Sequence, residues 1–153
     1  MATHAQFRRA RAEEADLLNE MTLAGVRHWG HHLNHPDAYN GLAGDLPTPD
    51  DVAENPVFIL THDDEVIGFY GLRQRSDHVE LLRMFQKVHL IGRGYGRIMW
   101  DHCILQAAEL SDRMKIVSDP AAIGFYRAMG AILHETREVA PGFSLGVMWY
   151  ELT

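Results

Sequence analysis

Residues 80–110 read ELLRMFQKVHLIGRGYGRIMWDHCILQAAEL. The segment opens as an apolar, strand-like run and enters a loop with glycine at alternate positions, Gly92, Gly94 and Gly96. Beyond the loop, Ile98, Met99, Ile104, Leu105 and Ala108 recur at three- and four-residue spacing, which predicts a helix. A strand, a glycine loop and a helix start together aim backbone N–H groups at an anion. Small residues let the main chain approach, and the helix start adds unpaired donors and a positive dipole end. Local charge agrees. No acidic residue lies between Glu80 and Asp101, whereas Arg83, Lys87, Arg93 and Arg97 are basic, a cationic island in a chain of net charge −7. The plainer reading of the same glycines is a tight strand-to-helix turn with close packing. Spacing narrows the ligand: Gly92-Arg93-Gly94-Tyr95-Gly96-Arg97 fits neither the dinucleotide fingerprint G-x-G-x-x-G nor the Gly-Lys-Ser/Thr end of a P-loop.

The chain has 153 residues, 46% of them hydrophobic, with both charge signs mixed, as expected for a single globular domain over 1–153. No apolar run approaches the roughly 18 residues of a membrane span. The first residues, Met1 to Arg9, lack the apolar core of a secretion signal. Cys103 is the sole cysteine, which excludes an internal disulfide and fits a reducing, cytoplasmic location. Its place in the predicted helix reads as a buried thiol and not a nucleophile. The acidic balance argues against general nucleic-acid binding, which needs a broad basic face.

Along the chain, Phe7–Ala10 predicts a first strand and Glu13–Ala24 a helix, with Leu17, Leu18 and Met21 on one side. A histidine-rich stretch follows, with loop from Asn40 to Asp50. Thr48 is placed to cap a short helix over Pro49–Glu54, with Asp51 at its third position. Val57–Thr61 and Glu65–Leu72 form a hairpin across Asp63-Asp64, and Val79–Lys87 is the next strand. After the glycine loop and its helix come a strand at Met114–Ser118 and a helix from Pro120 to Met129 stopped by Gly130. Two strands, Ala131–Val139 and Ser144–Leu152, close the chain across Pro141-Gly142. This order gives an α/β fold with a mixed sheet and helices on its faces.

Two blocks carry a family resemblance. The glycine loop resembles the pyrophosphate-binding loop of the GNAT acyltransferase superfamily, Gln/Arg-x-x-Gly-x-Gly/Ala, through Gly94 and Gly96, with Ile91 at the Gln/Arg position. Ser118-Asp119-Pro120-Ala121-Ala122-Ile123-Gly124-Phe125-Tyr126-Arg127-Ala128-Met129-Gly130-Ala131 is similar to the superfamily's D-P-N-A-x-x-F-Y-x-x-M/L-G-F/A segment, in the right order. The resemblance covers most of the chain, from about Val57 onward above all. It implies a mostly antiparallel central sheet of six to seven strands, splayed to admit a cofactor, with helices on both faces. It also implies acetyl-CoA as co-substrate, with no metal.

Site residues follow from it. Loop positions Ile91, Gly92, Arg93, Gly94, Tyr95, Gly96 and Arg97 would hold the pyrophosphate. The strand backbone at Met84, Phe85 and Gln86 would pair with pantetheine as an added strand does, and Ala121 and Phe125 would line the same arm. Tyr126 is the expected acid for the departing thiolate, since a phenol with a reference pKa of about 10 is protonated at neutral pH; ring packing on the sheet is its ordinary alternative. Glu80, eleven residues before Ile91, stands where some members place a strand base. Alternation puts Glu80, Leu82, Met84 and Gln86 on one face unless a bulge intervenes. Apolar neighbours would raise the Glu80 pKa; a plain ion pair with an Arg such as Arg83 is the alternative, with His78 as substitute base. His28, Trp29 and Tyr70 are expected to face the acceptor. Three departures, Ile91, Val88 for a frequent proline and Ala121 for a frequent asparagine, imply retuned CoA binding.

His28, His31, His32 and His35 are spaced so that one helix would gather them. Zinc binding is one reading; Gly30, Pro36 and the lack of nearby Cys favour a contribution to the acceptor pocket or a solvated surface. The leading expectation is an N-acetyltransferase acting on an amine of a small molecule or peptide by direct transfer in a ternary complex. The alternatives are an acyl-CoA-binding sensor or scaffold without turnover and a nucleotide-binding α/β domain. Dimerisation through the last strands is compatible with the sequence, and the acceptor is not legible in it.

Overall fold

A computed structural model describes residues 4–44 and 46–153. Seven strands form one sheet in the order β1-β2-β3-β4-β5-β7-β6. They are β1 (Ala5–Arg9), β2 (Val57–His62), β3 (Glu65–Gln74), β4 (Val79–Gln86), β5 (Arg113–Ser118), β6 (Ile132–Ala140) and β7 (Phe143–Glu151). All neighbours are antiparallel except β4 and β5. The helices are α1 (Ala15–His28), α2 (His31–Asn34), α3 (Pro36–Ala43), α4 (Pro49–Glu54), α5 (Tyr95–Ala108) and α6 (Ile123–Ala128). The α/β class and the mixed, mostly antiparallel sheet agree with the sequence reading.

Two cores flank the sheet. On one face α5 and α6 bring Trp100, Cys103 and Tyr126 onto Tyr70, Leu72, Leu81 and Ile116. On the other, α1 lays Leu18 and Met21 on Val57, Ile59 and Phe69. Cys103 is fully buried among the first set, as its place in a helix predicts. The strand edge at β6 is largely exposed, including Ile132 and Val139.

Several boundaries differ from expectation for local reasons. A 3₁₀ turn at Ala12–Glu14 precedes α1, which then runs on to His28. Gly30, at φ +78°, breaks the helix there, so the histidine stretch forms the short α2 and not one continuous helical face. Residues 36–43, partly assigned to loop, form α3 with Pro36 in its first turn. The Thr48 cap is as predicted: its hydroxyl accepts from the Asp51 N–H at 3.2 Å while Asp51 Oδ2 accepts from the Thr48 N–H at 2.9 Å. The Pro120 helix is divided into a 3₁₀ turn, Pro120–Ala122, and α6. Among the described residues no helix is long and apolar enough to cross a membrane.

Two irregularities in β4 position the site. Gly71 pairs with Arg83 and Leu72 with Leu81, so Leu82 bulges out without a β3 partner. On its other side β4 pairs with β5 only from Val79 to Leu81, opposite Met114 to Ile116; beyond that the two parallel strands separate. Val79, Leu81 and Met84 therefore pack toward α5, whereas Phe85 packs with Phe69 toward α1. The expected face of Glu80, Leu82, Met84 and Gln86 is corrected by the bulge: Glu80 and Leu82 share a side with Phe85, while Met84 and Gln86 have turned to the α5 side.

Candidate active site

Where β4 and β5 part, the sheet opens on a cavity of about 940 Å³. From Leu82 to Gln86 the β4 backbone has no strand partner on the β5 side, which leaves main-chain groups able to hold an extended ligand. Met84, Phe85 and Gln86 all line this opening, as do Ala121 and Phe125 across from them.

The glycine loop meets one end of the cavity through Ile91 and Gly96. Gly92 and Gly94 both sit at φ +89°, a left-handed conformation that side-chain-bearing residues avoid. Gly94 is the N-cap of α5, so the turn ends with the helix's first N–H groups unpaired and no acidic residue in its first turn. Gly96 is needed for closeness: a Cβ there would stand 3.1 Å from Phe125 Cε1. Gly92, Arg93, Gly94 and Arg97 are exposed, and the two arginines make no hydrogen bond or ion pair with another described residue. The Tyr95 side chain turns away, its hydroxyl 2.7 Å from His62 Nδ1, so only its backbone can serve the loop.

Tyr126 lines the cavity from the first turns of α6, its ring against Trp100 and edge-on to Phe125 at 5.3 Å. Burial raises the phenol's pKa above its ordinary value, and the charge of Asp119 adds to the shift. The phenol therefore stays protonated at neutral pH. The ring packs in the core, and the residue also lines the opening.

Glu80 also lines the cavity. Burial pushes its pKa up, but the hydrogen bond from Arg75 Nε at 2.9 Å, with the charges of Arg75, His78 and Lys115, brings it below the usual carboxylate value. The raised pKa expected from apolar neighbours is not found, and the arginine bonded to it is Arg75 instead of Arg83. His78 is bound to Asp77 at 2.7 Å and packs edge-on to Trp149, outside the cavity lining.

The acceptor-side expectations divide. Trp29 lines the cavity and is 48% exposed. His28 does not; it is exposed and packs edge-on against Trp29. Tyr70 does not either. Alternation in β3 points it into the α5 core, where it is fully buried and its hydroxyl lies 2.6 Å from His102 Nδ1, while Phe69, Gly71 and Arg73 face the cavity. The four histidines are not gathered, and among the described residues no group of three or more His, Cys, Asp or Glu side chains is arranged to hold a metal ion. His31 alone of the four reaches the cavity wall.

Sequence reasoning passed over Arg73, Lys115 and Asp119 as site residues. Arg73 pairs across strands with Glu80, and Glu80 with Lys115, making a charged row on the cavity side of three strands. Asp119 caps the turn after β5, its Oδ1 accepting from the N–H groups of Ala121 and Ala122 at 2.7 and 3.2 Å. The Asp-Pro pair at 119–120 carried the signal for that cap.

The model of the Acetyltransferase (GNAT) family matches residues 26–131. The chain belongs to the GNAT acetyltransferase family. No curated protein sequence matches this GNAT chain. Among solved structures it is similar to PaiA N-acetyltransferase from Thermoplasma acidophilum in complex with coenzyme A, at 13% identity and a TM-score of 0.76, over 99% of each chain. It is similar to YncA from Salmonella typhimurium with its cofactor acetyl-CoA, at 17% identity and 0.69, over 97% of this chain and 94% of that one. A third is the ribosomal-protein-S18-alanine N-acetyltransferase from Escherichia coli, at 13% identity and 0.68, again over 97% and 94%. At these identities the likeness establishes the fold.

Proposed function

We propose that the protein transfers an acetyl group from acetyl-CoA to an amine of a small molecule or peptide, directly and in a ternary complex. The observation that carries this reading is the parting of β4 and β5 over one cavity that the glycine loop meets at one end and Tyr126 lines in the wall. Neighbours of the same fold hold coenzyme A or acetyl-CoA, and one is named for acetylating a ribosomal-protein alanine.

In this reading the amides of residues 92–97, with Arg93 and Arg97, hold the pyrophosphate. Pantetheine lies along Met84, Phe85 and Gln86, with Ile91, Ala121 and Phe125 about it. A main-chain N–H near the Leu82 bulge would meet the oxyanion that develops on the thioester carbonyl. Tyr126 gives its proton to the departing thiolate. Glu80, kept ionised by Arg75, draws the acceptor ammonium in beside Trp29 and takes up its proton only weakly. The exposed β6 edge supports a homodimer through the last strands.

The second reading, acyl-CoA binding without turnover, is favoured by Ile91, Val88 and Ala121 at positions where the family commonly places other residues. Thermal shift with acetyl-CoA, CoA and NAD, followed by thiol release with an amine panel, tests both. Stabilisation by both CoA species and amine-dependent thiol release are expected. Stabilisation without release would select the second reading, and stabilisation by NAD alone would reject both.

A further inference from the structure

Glu80 is a weak proton acceptor in this site, so the ammonium's proton needs another destination. His31, first residue of α2, is 9% exposed, and its Nε2 is buried without a hydrogen-bond partner. An unpaired buried ring nitrogen is costly unless something else engages it. His31 lines the same cavity as Tyr126. Its Nε2 lies 3.7 Å from Asp119 Oδ2, too far for a direct hydrogen bond but close enough for an ion pair or one bridging water. The geometry of Asp119 is fixed. Its Oδ1 is committed to the Ala121 and Ala122 amides, which leaves Oδ2 for His31. The imidazole is clamped edge-on against Phe143 at 5.0 Å. The charge of Asp119 is also felt at Tyr126, and all three residues line the one cavity.

We infer that His31, oriented by Asp119, is the catalytic base that receives the acceptor's proton. This rests on the acyl-transfer reading of the cavity. Imidazole is the side-chain type suited to taking and passing on a proton near neutrality, and among the described residues His31 is the histidine that lines the cavity. The proton count closes. An ammonium gives one proton to His31, which releases it to solvent, and the amine lone pair then attacks the thioester carbonyl. The C–N bond forms and the C–S bond breaks; Tyr126 protonates the thiolate, and the second proton lost from nitrogen restores the phenol. The titratable groups facing His31 are Asp119 and, from the end of its own segment, His35, with ring centroids 6.1 Å apart. Asp37 of α3 lines the same cavity, α1 ends in the outward His28, and β7 presents the non-titrating Phe143.

The test compares wild type with H31Q and D119N, the second keeping an oxygen for the turn amides. Acetyl-CoA turnover is followed from pH 6 to 9 with spermidine, ethanolamine, an Ala-Phe dipeptide and methoxyamine. Acetyl-CoA affinity is read by calorimetry. H31Q should lose about 100-fold in kcat/KM for the most active protonated amine at pH 7. The loss should shrink as pH rises and the amine deprotonates itself. Methoxyamine, already neutral at pH 7, should lose much less, which a merely structural histidine would not produce. Acetyl-CoA affinity should stay within about threefold, and D119N should give the same pattern, weaker. Equal losses for methoxyamine and the most active protonated amine, or kcat/KM within twofold of wild type throughout, overturn His31 as base and leave acyl transfer standing. A wild type that binds no acetyl-CoA and turns over no amine sinks the transfer reading itself. Should H31Q not fold, D119N alone decides by the same comparison.

Discussion

Glu80 Oε1 accepts a hydrogen bond from Arg75 Nε at 2.9 Å across the turn that joins β3 to β4. Burial is the largest single effect on this carboxyl and raises its pKa, but that bond together with the charges of Arg75, His78 and Lys115 leaves it below its ordinary value. In the proposed reaction the consequence would be a division of labour: an ionised carboxylate to attract an ammonium and a separate group to deprotonate it.

For Glu80→Gln, the expected outcome is therefore a KM effect. Loss of one attracting charge should raise the amine KM several-fold, with kcat reduced less than tenfold, a change of under about 1.4 kcal/mol. Steady-state kinetics at two salt concentrations check this, since the KM gap should narrow at high salt. A collapse of kcat at unchanged KM would return Glu80 to the role of base. Arg75→Gln should raise the Glu80 pKa, as followed by carboxyl NMR titration.

Tyr126→Phe removes one oxygen from a ring that packing holds in place between Trp100 and Phe125. Folding should survive. The transfer rate should fall by roughly 100-fold or more if the phenol protonates the leaving thiolate. Because burial and neighbouring negative charge keep its pKa raised, the wild-type rate should show no loss of this proton donor up to pH 9. An unchanged rate in the variant across that range would leave Tyr126 a packing residue only.

The glycines of the loop separate two kinds of effect. A Cβ on Gly94 would meet nothing within 4 Å, so Gly94→Ala strains only the left-handed backbone, at a cost of about 1–2 kcal/mol. A Cβ on Gly96 would press on Phe125 at 3.1 Å and so act on the cavity wall. Gly94→Ala should weaken CoA binding about tenfold with little change in amine KM. Gly96→Ala should alter both. Calorimetry with CoA and kinetics with amine distinguish them.

From Val57 onward the order of strands and helices was legible because turn residues punctuate it: Asp63-Asp64, Pro120, Gly130 and Pro141-Gly142. The glycine loop was legible for the same reason. What escaped were features made by pairing between strands. The bulge at Leu82 comes from how β4 registers on β3, and it alone moves Met84 and Gln86 off the face of Glu80. Tyr70 lies in a β3 run buried on both faces, where no polar alternation tells cavity from core. Arg75 reaches Glu80 because the chain between them turns tightly, its N–H bonding the His78 carbonyl at 2.8 Å. His31 was visible as one of four histidines, but its selection depended on Gly30 ending α1 and on Asp119, just after β5, coming within 3.7 Å.

The wall that carries Trp29 and His31 is reached through α1, and α1 is anchored at its start by Arg8 and Glu14. The guanidinium and carboxylate pair in parallel, Nη1 to Oε1 and Nη2 to Oε2, both at 2.8 Å, while the Arg11 N–H adds a third bond at 2.9 Å. The Arg8 hydrogen bond foremost, against the opposing effect of burial, lowers the Glu14 pKa from 4.5 to about 2. A depressed folded-state value stabilises the native protein above the unfolded pKa and ceases to do so as pH falls through the folded one. With the Arg8 side chain 37% exposed, solvent screening holds the contribution to about 2 kcal/mol. Glu14→Gln should therefore be less stable than wild type by about that amount in urea unfolding at pH 7. The gap should close between pH 4.5 and pH 2, the window the shift defines. Because the pair fixes β1 to the entry of α1, the variant should also loosen the cavity wall, seen as faster hydrogen exchange across α1 at neutral pH. An equal stability gap at pH 7 and pH 2.5 would show that Glu14 acts by packing and not by charge.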